Sequence, residues 1–390
     1  MWGSRARIGA LLAALLLAAA PLRAWQDPFG QWTAGAYLQV LEINRPAGGL
    51  PPTGSLDAWG DAAGGYTWDG LHGRALDIRL TGPLGFDGFS AALETSTDFN
   101  ATALADCFAQ WDSPAGTLRL GQEYLPFGAE EQVSKKDLVT IQRGLAWGFE
   151  NYGHVQPWGL QLASQRGWGL RWDGDAAADG FRVRGQAGAF EFGSGDCLNV
   201  LGGGGRVELA WSAGWAGASA GWSTLLGRAH LETPPAQFVP LGAPQGAEPV
   251  QGAGFGGPAP LLAWGPDARL DLGLLHGSAE IALESLDHGM RGGGQATAWL
   301  DCDGALRALG AGPGWSALGL YARWEQASSS FADGVHRAGS LFRAATLGVR
   351  LPLGWAPASL KVERLRVSDD DFGGILPDGD ITQAQLQLVL

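Results

Sequence analysis

Polar and apolar residues alternate with a period of two along most of the chain after residue 30. Such alternation predicts β-strands with one apolar and one polar face. Arg74 to Leu80 places Leu76, Ile78 and Leu80 on one face and Asp77 and Arg79 on the other. Leu118 and Leu120 oppose Arg119. Trp168, Leu170 and Trp172 alternate with Gly169 and Arg171, and Val207, Leu209 and Trp211 with Glu208 and Ala210. Leu270, Leu272 and Leu274 alternate with Asp271 and Gly273. The chain closes with Ala384, Leu386, Leu388 and Leu390 set against Gln383, Gln385 and Gln387. Short turns are expected at Thr81–Gly85, Ala213–Gly217 and Pro352–Pro357. Long connections are expected at Asn44–Gly73, Asp98–Ala115, Glu232–Pro266 and Val367–Asp380, where Gly, Pro or Asp accumulate. No two-domain boundary or sequence repeat interrupts this rhythm.

The first residues do not belong to it. Arg5 and Arg7 precede an apolar run from Ile8 to Leu22, and Leu22-Arg23-Ala24 offers a cleavage site. Residues 1–24 thus read as a signal peptide, and 25–390 as one mature domain. The apolar run falls short of the ~20 residues a spanning helix needs. No later window approaches that length, yet the chain is 46% hydrophobic and only 17% charged. Soluble domains average about a quarter charged. Low charge without apolar helices predicts an all-β, transmembrane antiparallel β-barrel, its apolar residues spread singly along the strands.

That class decides which face is which. A charged side chain facing lipid at mid-membrane costs ~2–4 kcal/mol. The Arg, Asp and Gln faces must therefore line the interior, with the Leu, Ile and Trp faces toward lipid. The mature length provides about 23 residues for each of 16 strands with its connection, and a membrane strand needs ~9–11; 14 or 18 strands are the alternatives. Trp158, Trp168, Trp172, Trp211, Trp215, Trp222, Trp315, Trp324 and Trp355 lie near expected strand ends. They read as an interfacial girdle, with ordinary sheet packing as the alternative.

Charge narrows the partners. Without Arg5, Arg7 and Arg23 the chain has 23 basic and 39 acidic residues, a net −16. This excludes nucleic acid as the natural partner and leaves outer-membrane lipid and small ions or polar solutes. Lys135, Lys136 and Lys361 are the only lysines. Cys107, Cys197 and Cys302 each follow Asp and read as loop residues, open to one disulfide or to none.

Several motifs dissolve on inspection. Gly217-Ala218-Ser219-Ala220-Gly221 matches a hydrolase elbow in letters, but strand-like alternation continues on both sides instead of a helix. Gly252, Gly254 and Gly257 are followed by prolines, and Asp301-Cys302-Asp303-Gly304 lacks the later ligands of a calcium loop. The six histidines fall at no metal-ligand spacing. No cofactor or metal is called for. A hydrolase site assembled at a barrel rim from separate strands is the rival class, and a soluble secreted β-sandwich adhesin the third.

One segment is more specific. Leu118 to Ala146 contains Gly121, Gln122, Pro126, Phe127, Gly128, Glu130, Ser134 and Arg143 in the order G-Q-x-x-x-P-F-G, E-x-x-x-S and a following Arg. Over these 29 residues the chain resembles the phosphate-selective porin O/P family. The resemblance implies a passive outer-membrane pore, not an enzyme, in a homotrimer in the Gram-negative outer membrane. It implies that Lys136 and Arg143, with Lys135, present positive charge at a constriction; the other reading pairs Arg143 with Glu130 or Glu131. Arg119 and Arg171 join them as inward-facing residues of the ion path, with Arg79 and either of Arg182 and Arg184 as further positions. Asp77, Glu123 and Glu208 occupy comparable faces and offset them. The acidic, Lys-poor composition and the terminal Leu390 depart from the family's pattern. Weak selectivity or a mild cation preference is therefore expected.

Overall fold

A computed structural model describes residues 32–44, 70–97, 102–130, 132–133, 138, 140, 166–193, 198–231, 259–286, 289–302, 318–329, 340–353, 358–370 and 379–389. The expected signal peptide, Lys135, Lys136, Arg143, Glu131, Ser134, Cys197, Leu390 and Trp158, Trp315 and Trp355 lie outside the described residues.

Sixteen strands form one closed antiparallel barrel. They are β1 (Thr33–Asn44), β2 (Gly70–Pro83), β3 (Phe89–Thr97), β4 (Thr102–Ser113), β5 (Gly116–Tyr124), β6 (Arg166–Ala178), β7 (Phe181–Gly193) and β8 (Leu198–Ala213). There follow β9 (Ala216–Leu231), β10 (Ala259–Leu272), β11 (Leu275–Leu286), β12 (Gly289–Asp301), β13 (Gly319–Ser329), β14 (Ser340–Leu353), β15 (Ala358–Asp370) and β16 (Gly379–Val389). Each strand pairs with its sequence neighbours, and β1 closes the ring against β16, with Tyr37 opposite Val389 and Gln39 opposite Gln387. Closure leaves no unpaired strand edge.

Alternation places the side chains as the sequence predicts. Leu120, Leu170, Val207, Leu209 and Leu347 stand exposed on the outer face, while Arg171, Arg206, Glu280, Arg323, Lys361 and Gln385 are buried inside. A soluble protein would expose the charges and bury the leucines. This inverted order fits a barrel with lipid outside and a polar lumen. Near the short-turn rim an aromatic belt faces outward: Phe89 stacks on Trp111 with centroids 6.0 Å apart, and Trp211 and Trp215 are exposed. Higher on the wall Trp222 stacks on Trp264 at 5.5 Å. Indoles of this kind suit the boundary between headgroups and hydrocarbon.

Two-residue turns at 114–115, 179–180, 214–215 and 273–274 mark one rim. The connections 45–69, 125–165 and 232–258 leave from the other, and 302–318 is a long connection on the short-turn rim. Short turns face the periplasm in such barrels, which sets the orientation.

Some expected boundaries are corrected. Asp98–Ala115 is not one long connection, because residues 102–113 form β4. Its polar positions Asp106, Gln110 and Asp112 face the lumen, and small alanines between them disguised the alternation. Cys107 is consequently on the outward side of a strand, not in a loop; Cys302 directly follows β12, and both are free thiols. Ala259–Pro266 belongs to β10 despite two prolines, and Leu274 sits in a turn instead of continuing that strand. The strand residues also trim the ends of the 44–73 and 367–380 connections.

Candidate functional site: a segment folded into the barrel

β5 ends at Tyr124, and the chain that follows turns into the lumen. Pro126 cannot donate to a ladder and Gly128 takes φ +73°, a left-handed conformation that favours glycine. Leu125 and Phe127 become fully buried in an apolar cluster. Its wall members are Phe190, Phe192, Val200, Leu225, Ala229, Leu261, Ala263 and Ala282, from the inner faces of β7 to β11. The lumen wall is therefore apolar where these two side chains dock, and burying them stabilises the docked position by roughly 1.5–3 kcal/mol each.

Polar contacts complete the anchoring. The Gly128 amide donates to Ser223 Oγ at 3.0 Å. The amides of Ala129 and Glu130 donate to the two oxygens of Glu280 at 2.6 and 3.1 Å, so one inward carboxylate of β11 holds two consecutive amides. Arg323 of β13 is nearly inaccessible; it donates to Glu130 at 2.6 Å, Thr140 Oγ1 at 2.7 Å and Gln295 Oε1 at 2.6 Å. Gln295 donates in turn to Glu130. Lys361 of β15 donates to the carbonyls of Leu138 and Thr140 at 2.6 and 3.1 Å. The segment is thus held by residues 95 to 223 positions away in sequence.

Arg171 lies on the lumen face of β6 but is buried. It donates to the Tyr124 carbonyl and to Gln132 Oε1, both at 3.1 Å, and pairs with Glu123 at 3.4 Å and Asp173 at 2.9 Å. Its place is at the root of the inward segment. Arg119, also inward, is partly accessible; it pairs with Glu123 at 3.3 Å and Asp173 at 3.4 Å and lies over the Phe108 ring. Arg79 pairs with Glu94 at 3.5 Å, Arg182 with Asp175 at 2.7 Å and Arg184 with Glu208 at 3.6 Å. Glu130 is paired by Arg323. Arg206, Glu280, Arg323, Glu325 and Lys361 are functional positions of the lumen that no sequence motif marks. All sit at polar positions of alternating runs, so their inward direction was readable though their partners were not.

The wall charges are largely neutralised by one another. Arg206 is chelated by Asp267 and by Glu208, the latter at 2.8 Å. Gly221 makes room for this pair, since an added Cβ would lie 2.5 Å from both the guanidinium and Asp267. Nearer the short-turn rim, His276 Nδ1 lies 2.7 Å from Asp271 and Nε2 lies 3.2 Å from Asp301. Two polar spaces flank the inward segment. One, of about 580 Å³, is lined by Glu130, Leu138 and Thr140 and by β7 to β14. Five arginines and five carboxylates border it. The other, of about 460 Å³, lies toward β2 to β7 with Arg79, Asp106, Arg119, Glu123 and Arg171; both spaces touch Gln132 and Gln186. Among the described residues no cluster of His, Cys, Asp and Glu could hold a metal ion, and no helix is long and apolar enough to cross a membrane.

An inverted sixteen-strand barrel with a segment folded into a polar lumen defines the class: an outer-membrane β-barrel of the porin architecture. Solved structures share this fold. The outer membrane channel DcaP of Acinetobacter baumannii superposes with a TM-score of 0.59 at 10% identity, over 94% of this chain and 99% of that one. An anion-selective porin from Comamonas acidovorans gives 0.53 at 13% identity, over 92% and 99%. A loop-deletion form of the outer membrane protein OmpT of Vibrio cholerae gives 0.56 at 9%, over 92% and 99%. No protein-family model and no curated protein sequence matches the chain.

Proposed function

We propose that the chain is a passive diffusion pore for small polar and ionic solutes, with weak ion selectivity and no enzymatic activity. The observation that carries this reading is the inward segment, latched to the wall between two polar spaces of about 580 and 460 Å³. Such a segment narrows the passage without adding reactive chemistry. His276, whose two ring nitrogens face Asp271 and Asp301, is held by carboxylates and not presented to a nucleophile.

Selectivity follows from the balance of near charges. A phosphate-selective passage needs several cationic donors free to replace the hydration of the anion. Here Arg119, Arg171, Arg206 and Arg323 are committed to carboxylates. The anion selectivity ascribed to the Comamonas porin therefore does not carry over to this chain in our reading. Lys135, Lys136 and Arg143 are the Lys and Arg residues between Tyr124 and Arg166 in the sequence, and the resemblance to the phosphate-selective porin O/P family rests on their neighbourhood. Export through cleavage after Ala24 and assembly as a homotrimer complete the proposal; one Vibrio OmpT structure is a trimer form.

Single-channel recording of the refolded protein tests it. Stepwise conductance is expected, with a reversal potential near zero or slightly cation-selective in a KCl gradient. Absence of conductance sinks the pore reading. Saturable phosphate block of chloride current, lost in Lys136→Ala or Arg143→Ala, would show that local basic charge overrides the paired wall. The mass of the purified mature protein is expected to match a chain beginning at Trp25.

A further inference from the structure

The charges bordering the larger polar space do not all cancel. Arg184, Arg206, Arg269 and Arg323 each pair with a carboxylate. Glu130, Glu208 and Asp267 are among those partners, and Glu280 holds the amides of Ala129 and Glu130. Two groups of opposite sign are left over on the same space. Arg350 of β14 has no carboxylate partner among the described residues; Tyr321 lies within its electrostatic reach but gives its hydroxyl to Glu363 at 3.0 Å. Lys361 stands opposite Arg350 on β15 and donates to the carbonyls of Leu138 and Thr140, so it offsets none of this charge. Asp301 of β12 has Oδ2 at 3.2 Å from His276 Nε2 and no arginine or lysine partner among the described residues; its side chain is half exposed.

Register sets these two groups on either side of one glycine. Gly319 of β13 is opposite Asp301 on one flank and Arg350 on the other. An added Cβ at Gly319 would lie 3.8 Å from Asp301 Oδ1 and 3.7 Å from Arg350 Cβ. The missing side chain therefore leaves an opening between the carboxylate and the root of the arginine. Their strands lie ~10 Å apart, twice the spacing of neighbours, and the two side chains do not pair with each other. All three residues border the lumen near the short-turn rim, together with Trp299, two positions before Asp301 on the same face. A cation and an anion held apart across a gap complement a solute that carries both charges. The guanidinium offers a fork of donors to a carboxylate, and Asp301 Oδ1 can accept from an ammonium. A simple ion of either sign meets one attractive and one repulsive group there.

We propose that Asp301 and Arg350, spaced by Gly319, bind a small zwitterion of the amino-acid or short-peptide class at the short-turn mouth of the lumen. The solute carboxylate sits on Arg350 and its ammonium on Asp301, with Trp299 as an aromatic surface for its apolar part. A dipeptide measures at most ~7 Å from end to end, and a charge-assisted bond of ~2.8 Å at each end lets it bridge the opening. A role for this site as a stop on the solute path rests on the pore reading; the pairing of the two leftover charges does not.

The test uses the refolded full chain in deuterated detergent micelles, titrated with alanylalanine and with its N-acetylated and C-amidated forms. Saturation-transfer NMR on the peptide methyl groups reads the affinity. Expected is saturable binding in which the zwitterion is tighter than either capped form by about tenfold, the worth of one hydrogen bond to a charged group. Arg350→Gln and Asp301→Asn should each weaken alanylalanine by a similar factor. Gly319→Val keeps both charges, fills the opening and should weaken it too. Heat-shifted electrophoretic mobility checks that each variant is folded, and the comparison of the three peptide forms needs no variant. Equal affinity for the three forms overturns the proposal. So does undiminished binding by the folded Arg350→Gln or Asp301→Asn protein. Single-channel recording on the same preparation separates the two readings: conductance without zwitterion binding removes the site and leaves the pore, whereas zwitterion binding without conductance removes the pore and leaves the site.

Discussion

Replacing Arg323 by Ala should raise single-channel conductance about twofold and introduce rapid current substates, while the barrel still folds. Arg323 is buried and holds Glu130 and Thr140 of the inward segment together with Gln295 and Glu325 of the wall. Its loss removes the arginine partner of Glu130 and Glu325 in a poorly solvated place. Removing one partner of a buried ion pair typically costs ~3–5 kcal/mol. The wall cannot relieve that cost, because β13 is laddered to β12 and β14 along its whole length. The segment can, by swinging toward the open lumen and hydrating Glu130. Lys361→Met should act in the same direction but less, since it leaves two carbonyls, those of Leu138 and Thr140, without a charged donor. Planar-bilayer recording checks both, with Arg323→Lys as a partial rescue. Unchanged conductance in a folded Arg323→Ala protein would mean that the segment does not limit the current.

The second large effect concerns the outer face. Val207→Arg should cost ~2–4 kcal/mol of folding free energy in a bilayer, read as a lower urea midpoint on refolding into vesicles. Val207 is 54% exposed and lies six residues from the turn end of β8, near mid-membrane for a tilted strand. On the surface of a soluble protein the same change would fall within about ±0.5 kcal/mol. A near-zero effect would therefore contradict lipid exposure of this face.

What the sequence revealed was direction, and what it concealed was partnership. Alternation alone told Asp77 and Arg79 from Leu76 and Ile78, and length pointed to 16 strands while leaving 14 and 18 open, a choice that the closed ring resolves as 16. It failed over Thr102–Ser113, where alanine is neither clearly apolar nor polar and aspartates imitate a loop. It placed Arg171 and Arg119 inward but could not show that Arg171 is consumed in anchoring the segment. The motif around Pro126-Phe127-Gly128 announced a break in the sheet. Its destination depended on Glu280, Arg323 and Lys361, which reach it only once distant strands have curled into a ring. A period-two pattern carries no information about such closure.

The seam between β1 and β16 has a bearing on the order of events in assembly. Tyr37 and Val389 are partners across 352 positions of chain, whereas Ala213 and Ala216 meet across a two-residue turn. By the logarithmic law of loop closure, the seam contact costs on the order of 4 kcal/mol more in entropy than the hairpin contact. Hairpins can therefore form early and locally, while the ring waits for both ends of the chain to be present. Until then two open edges persist, each able to pair with a stranger. The inner side of the seam, with Gln39, Gln383, Gln385 and Gln387 buried side by side, is thus the last polar surface to leave water, and the chain's period of greatest exposure to misassembly ends only when the eleven residues of β16 have docked.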